Sequence, residues 1–264
     1  MLKGLYTAYT GMINEQNRMD VLTNNLANVD TVGFKKEGAT SQSFNAVFVD
    51  KIKDDSETVY LDRRIGRANP GVKIGEGYTD FSQGSFQVTD NTYDFALGGQ
   101  GFFTVEFTNK KDETTTMYTR DGNFQLTQDG YLVTTDGDYV MGVGANGGNE
   151  RIRLNPEETI VVDEQGVIYQ GEDPVAQLKI TDFADYNYLR HYGENYYVPV
   201  EGAELTEATD CQVNQGYLEV SNVQVVSEMV EMISVSRQYE SNQKVIQTID
   251  SSMEIASNRL GKVQ

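Results

Sequence analysis

The chain has 264 residues, enough for one large or two smaller domains with a buried core, and 21 basic against 40 acidic residues give a formal charge of −19. That balance repels phosphate backbones and anionic lipid, so neither nucleic-acid binding nor membrane insertion is expected. A single cysteine, Cys211, and a single histidine, His191, exclude an intrachain disulfide and a His/Cys zinc site.

The opening residues, Met1 to Tyr6, hold no uninterrupted apolar run and no small-residue cleavage site, so no secretory signal peptide is expected. Nowhere does a run of about eighteen apolar residues predict a membrane span. Leu2, Leu5, Tyr9, Met12, Gln16, Met19, Thr23 and Leu26 step alternately by three and four, which predicts a helix with a narrow seam, weakened only at Gly4 and Gly11. The run Thr23 to Lys36 then carries three asparagines, Asp30 and Gly33, residues that tolerate left-handed backbone and end a helix.

Residues 35–77 read as a connector, loop and extended chain from Phe44 to Gly77, where a short helix near Phe44 to Ile52 is compatible with the sequence. From 78 to 216 the apolar period changes to two. Asp121-Gly122, Asp129-Gly130 and Asp136-Gly137 are turn signals, and Phe124/Leu126, Tyr131/Val133 and Tyr139/Met141 alternate between them as strands do. Further strands are expected at Ile160 to Val162, Val167 to Tyr169 and Ala176 to Ile180, giving an antiparallel β-rich domain.

The last stretch carries the longest pattern. Met232, Val235, Tyr239, Asn242, Ile246, Ile249, Met253, Ala256, Leu260 and Val263 keep the a/d spacing of a coiled coil, and Ser234, Arg237, Gln238, Ser241 and Lys244 begin a wet opposite face. Ser221 or Asn222 is a suitable N-cap, with Glu219 and Glu228 placing negative charge around the helix start. Such a seam needs a partner, and the N-terminal helix supplies one. The expected fold is therefore mixed α and β: a discontinuous coiled coil of N- and C-terminal helices (1–34 with 217–264), a connector (35–77) and an inserted antiparallel β-rich domain (78–216). Two long helices lying on one globular core is the plainer alternative.

Motifs of catalysis lead nowhere. Gly142 to Gly147 spells G-x-G-x-x-G, but no amphipathic helix follows to present its N-terminus to a phosphate, so a loop is expected. Asp136-Gly137-Asp138 lacks the further ligands of a calcium loop, and His191 and Cys211 lie in no nucleophile motif. No catalytic residue, cofactor or metal is nominated, and the chain is not expected to be an enzyme.

Asn24-Asn25-Leu26-Ala27-Asn28, Thr31 and Gly33-Phe34-Lys35 together form an N-N-L-A-N-x-x-T-x-G-F-K run behind a heptad helix. This resembles the N-terminal signature of the bacterial flagellar rod and hook proteins. Gln215 to Val223 with Ser221 and Asn222, then Glu228 to Ile233 with Met229 and Met232, then Arg237 to Asn242 with Tyr239 and Glu240, resemble that family's closing signature. Gln83 to Thr89 and Gly99 to Val105 are also similar to family sequences, so the resemblance covers most of the chain.

The resemblance implies a structural, self-assembling subunit of the flagellar axial structure, most closely a proximal or distal rod protein, in the basal body outside the cytoplasm. It implies helices forming the inner tube wall and a β domain facing outward. The implied partners are copies of the chain, neighbouring rod and hook subunits and the flagellar type III export apparatus. Phe44 to Phe48 resembles the short motif such subunits present to the export gate, where an ordinary apolar pair on a helical turn is the alternative. Ile246 and Ile249 are the seam residues chosen as assembly determinants. A hook subunit is the near rival. An exported carbohydrate-binding or hydrolytic β domain with a coiled-coil stalk is the rival of a different class.

Overall fold

The computed structural model describes residues 2–50, 64–109, 113–144, 148–193, 195–208 and 211–260. It divides into two compact units, the first made of 1–26, 37–79 and 225–264, the second of 27–36 and 80–224. The architecture is the expected mixture of two terminal helices and an inserted antiparallel β-rich region.

In the first unit, helix α1 (Leu2–Ala27) and helix α2 (Val225–Leu260) run antiparallel. Gly4 lies against Ile249 and Gly11 against Asn242, while Arg18 bonds Glu231 at 3.0 Å and Asn25 bonds Glu228 at 3.4 Å. On α2 the least exposed positions include Met232, Val235, Tyr239, Asn242, Ile246, Ile249, Met253 and Ala256, the register the spacing predicts. Leu260 and Val263 have no described side chains.

On α1 the seam differs from expectation. Leu5, Ala8, Met12, Glu15, Met19, Leu22 and Leu26 are turned inward, whereas Tyr9, Gln16 and Thr23 are exposed. Polar groups caused the shift: Glu15 and Asn25 are buried because Arg18 satisfies the first and Glu37 and Glu228 the second, so an apolar-only pattern picks the wrong neighbours. Buried polar groups of this kind fix register at some cost in stability.

The described residues of 37–50 and 64–79 are mostly paired strand where loop and extended chain are expected. Strand β1 (Glu37–Ser43) pairs antiparallel with β4 (Val72–Thr79), and β2 (Val47–Asp50) with β3 (Arg64–Ala68). The Phe44 N–H donates to Gly71 O at 3.0 Å between them, so the two pairs make one long ribbon. The helical turn expected from Phe44 gives way to strand, as the β-branched residues on either side of Phe48 favour; Lys51 and Ile52 lie outside the described residues. Asn14 Nδ2 to Ser41 Oγ (3.0 Å) and Thr7 Oγ1 to Pro70 O (3.4 Å) lay the ribbon along a second face of α1. Its third face carries Tyr6, Tyr9 and Ile13, exposed by 63%, 50% and 38%.

The second unit begins with β5 (Phe86–Val88), β6 (Phe95–Gly98), β7 (Phe102–Thr108) and β8 (Thr114–Thr119). Then come β9 (Phe124–Leu126), β10 (Leu132–Thr134), β11 (Tyr139–Val143), β12 (Asn149–Arg151), β13 (Ile160–Val162) and β14 (Val167–Gln170). After β15 (Asp173–Gln177) and β16 (Ile180–Phe183) follow β17 (Leu189–Tyr192), β18 (Tyr196–Pro199), β19 (Leu205–Glu207), β20 (Gln212–Gln215) and β21 (Tyr217–Glu219).

Its main sheet has the order β17-β18-β8-β7-β11-β10-β9, with β12 on β11, and β16 joining β7 to β19. The β9–β10–β11 meander matches the Asp-Gly turn signals, and β12 follows β11 where the Gly-rich run sits; Ala145 to Gly147 lie outside the described residues. The strand expected from Ala176 to Ile180 is split, with β15 ending at Gln177 and β16 starting at Ile180. Phe95, Leu97, Phe103, Leu132 and Ile168, all fully buried, centre the core, and β6 and β5 receive β20 and β21 as partners.

Candidate assembly site

The signature residues divide between the two units, and each half does different work. Within the first unit Asn25 is a two-way amide. Its Nδ2 donates to Glu37 O at 2.8 Å while its Oδ1 accepts from Glu37 N at 3.0 Å, pinning the start of β1 to the end of α1. Asn24 Nδ2 reaches Glu37 Oε2 at 3.4 Å from the exposed side. Leu26 is half-buried. Replacing Asn25 by any apolar residue leaves both backbone groups of Glu37 without that side-chain partner.

Within the second unit Ala27 is exposed, and Asn28 starts the turn that carries the chain away, accepting from the Thr31 N–H and hydroxyl at 3.3 Å each. Gly33 follows at φ +71°, its N–H donating to Glu219 O at 2.8 Å. A Cβ there would collide with the Arg120–Asp121 peptide, so both conformation and space demand glycine. Phe34 is 1% exposed, edge-on to His191 at 6.3 Å.

Lys35 is the deepest of the set. Its Nζ meets Glu219 Oε1 at 2.6 Å and Ser82 O at 2.9 Å, with 1% and 0% of the two side chains exposed. Arg120, itself 4% exposed, brings Nη1 to Glu219 Oε2 at 3.4 Å and donates Nη2 to Gly99 O at 2.7 Å. Gly84 N donates to Glu219 Oε1 at 2.8 Å. Burial pushes the Lys35 pKa down, opposed by the Glu219 carboxylate and reinforced by the Arg120 charge. One carboxylate thus holds two buried cations from distant parts of the sequence. Breaking such a pair from one side costs about 3–5 kcal/mol.

The closing signature begins in the same place. Asn222 Oδ1 accepts from Lys36 N at 2.7 Å and its Nδ2 donates to Asp80 O at 2.8 Å, while Ser221 Oγ accepts from Val223 N at 3.3 Å. Neither side chain caps α2, which starts at Val225; their groups are spent tying segments of the second unit together. On α2, Met232, Tyr239, Ile246 and Ile249 belong to the half-buried seam, whereas Met229, Arg237 and Glu240 point outward. Phe44 is half-buried. Phe48 on β2 is 52% exposed with the Arg67 guanidinium 4.9 Å from its ring.

Sequence reasoning missed the Glu219–Arg120 half of the charge cluster. Nothing near Arg120 marks it as buried; the only clue is that Lys35, inside a motif, needs a counter-charge. It also missed an outward groove of about 390 Å³ on α2, lined by Val230, Ile233, Ser234, Arg237, Gln238 and Ser241. On the β unit a groove of about 570 Å³ is lined by residues that include Glu106, Tyr131, Arg151 and Arg153. There Arg151 bonds Glu106 at 2.8 Å and lies 4.2 Å over Tyr139, so its charge and that ring face are already engaged. The guanidinium also pulls the Glu106 carboxyl below its ordinary range. Among the described residues no group of acidic, histidine and cysteine side chains is placed to hold a metal. Among them, too, no helix is long and apolar enough to cross a membrane.

Three family descriptions match: "Flagella basal body rod protein" over residues 5–35, "Flagellar hook protein FlgE/F/G D1 domain" over 96–170 and "Flagellar basal body rod FlgEFG protein C-terminal" over 214–259. Among curated relatives, the flagellar basal-body rod protein FlgG of Buchnera aphidicola subsp. Schizaphis graminum is 34% identical over 95% of this chain and 96% of its own. The FlgG of Bacillus subtilis is also 34% identical, with the same coverage, and the rod protein FlgF of Caulobacter vibrioides is 32% identical over 100% of both chains.

Proposed function

The chain belongs to the flagellar basal-body rod protein family, and from that premise we propose that it is a structural, self-assembling subunit of the rod, acting through packing rather than catalysis. The observation that carries this reading is the first unit. A seam with a buried polar register joins α1 to α2, yet Tyr6, Tyr9, Val226, Val230 and Ile233 stay 50–76% exposed on the other faces of the same helices. Helices that bury one stripe and expose another are built for further partners. A contact between unlike faces of successive copies generates an open helical polymer.

On this reading the helical unit makes the contacts between copies and the β unit faces solvent. The partners are copies of the chain and neighbouring rod and hook subunits, and the place is the basal body in the cell envelope. Export through the flagellar type III apparatus is part of this reading, and exposed Phe48 with Phe44 is the candidate recognition motif. The test is assembly of purified protein followed by electron microscopy. Wild type forms tubes or filaments, whereas Ile246→Asp with Ile249→Asp forms none while the β unit keeps its unfolding transition, because two unpaired carboxylates cannot be buried in the seam. Filaments from the double variant would refute the seam's role.

A further inference from the structure

We propose that the exposed Tyr6–Tyr9–Ile13 face of α1 docks into the outward groove of α2 on a second copy of the chain, head to tail, and so sets the direction of assembly. This rests on the self-assembly reading and deepens it by naming the two surfaces.

The first observation is shape. Tyr6, Tyr9 and Ile13 recur at the three-and-four spacing that places side chains on one helix face, turned toward neither the α2 seam nor the ribbon. The groove of about 390 Å³ lies on the α2 face away from the seam. One surface therefore projects large side chains, and the other leaves a shallow, open space between its own. Its chemistry suits a tyrosine: Val230 and Ile233 give apolar walls, Arg237 offers a guanidinium to a ring face, and Ser234, Gln238 and Ser241 can bond a phenolic hydroxyl.

The second observation is charge, which selects a second copy as the occupant. The residues of the first unit include 12 basic and 14 acidic side chains, a net −2, whereas the second unit has 9 against 26, a net −17; together these make the −19 of the chain. Two first units approach almost without repulsion, while two second units repel strongly at low salt. Close packing between copies thus falls to the near-neutral helical unit. Because the two faces differ, each copy uses one face on each neighbour, and the contact cannot close as a symmetric dimer.

The test is directed crosslinking of the full chain in a Cys211→Ser background under assembly conditions. Tyr9→Cys and Ser234→Cys are made singly and together and treated with a short bismaleimide, with Ile13→Cys as a second choice should Tyr9→Cys weaken docking. The chain carrying both cysteines is expected to give a ladder of multimers. An equal mixture of the two single variants gives dimers only, and each single variant alone gives none. Crosslinking of a single variant with itself would show a like-with-like face and overturn the proposal. So would filaments in the microscope with no ladder from either cysteine pair, an outcome that leaves the assembly reading standing. If wild type forms no filaments under any condition, the assembly reading fails and this inference with it. As a second readout, Tyr6→Ala with Tyr9→Ala raises the critical concentration by about tenfold or more, equivalent to losing about 1.4 kcal/mol per contact, with unchanged unfolding of the β unit.

Discussion

The two units solve opposite problems with the same chain. The β unit is built on a large apolar core, with Phe95, Leu97, Phe103 and Leu132 wholly buried, and although Val88, Val161 and Leu205 stay exposed a net −17 stands on its residues. The helical unit has a thinner apolar core, Ala8, Leu22 and Val235, and buries asparagine and glutamate beside it, while Tyr6, Val226, Val230 and Ile233 remain exposed on a net charge of only −2. Charge is the clearer difference: copies can pack closely through a near-neutral surface, whereas a strongly acidic one holds them apart at low salt.

The sharpest way to break this comparison is through Glu219. Glu219→Ala leaves Lys35 and Arg120 buried without their counter-charge, so the β unit is expected to lose about 3–5 kcal/mol, read as a lowered urea midpoint. Helical content from α1 and α2 should stay unchanged before that transition. An unshifted midpoint would mean the cluster is solvated in solution. Combining Glu219→Gln with Lys35→Met should recover part of the loss, since the coupling is removed from both sides.

Gly33→Ala comes next. At φ +71° and against the Arg120–Asp121 peptide, a Cβ costs about 1–3 kcal/mol and acts on the β unit. A variant as stable as wild type would show that the turn relaxes freely.

How far such effects were foreseeable differs between the units. The α2 register was legible from Met232 to Ala256 because its inward positions are nearly all apolar or small. The α1 register was not, because Glu15 and Asn25 point inward: Glu15 is paired locally with Arg18 three residues on, while Glu37 and Glu228, the partners of Asn25, are brought there only by the folded chain. The meander read well, since each Asp-Gly turn is local chemistry. The ribbon of 37–50 and 64–79 did not, because Ser41, Gln42 and Ser43 show no apolar alternation and its pairing joins residues far apart in sequence. Of the candidate site, Gly33, Phe34 and Lys35 announced themselves through their pattern, whereas Arg120 became visible only when the fold placed it beside Glu219.

A smaller effect belongs to Asp121. Burial, with Asp136 and Asp94 nearby, pushes its carboxyl pKa up to about 6 against hydrogen bonds from Asn123 and Asn195 that pull it down. The folded state therefore holds this proton more tightly than the unfolded one. The resulting stabilisation is fully present below the ordinary value of 3.8 and is lost as pH rises through about 6. Asp121→Asn, which mimics the protonated form, should stabilise the protein by about 1–2 kcal/mol at pH 7, after allowance for partial solvent exposure, and hardly at all near pH 4. A shift equal at both pH values would contradict the assignment.

The smallest stability change is expected from Phe44→Ala with Phe48→Ala, because Phe48 is half in solvent. The melting temperature should move far less than for a core phenylalanine, whose loss costs about 3–5 kcal/mol. Secretion should nevertheless fail, with the chain accumulating in the cytoplasm. Normal secretion would remove the export role from these residues whatever happens to stability.

The central claim, that the helical unit carries assembly and the β unit does not, is tested most directly by hydrogen exchange on the same protein, dilute and assembled. Leu2 to Leu26 and Val225 to Leu260 are expected to exchange readily in the dilute chain and to slow markedly on assembly, while Phe95 to Val143 exchange equally in both. Strong protection of the terminal helices in the dilute chain, or slowing confined to the β unit, would contradict it.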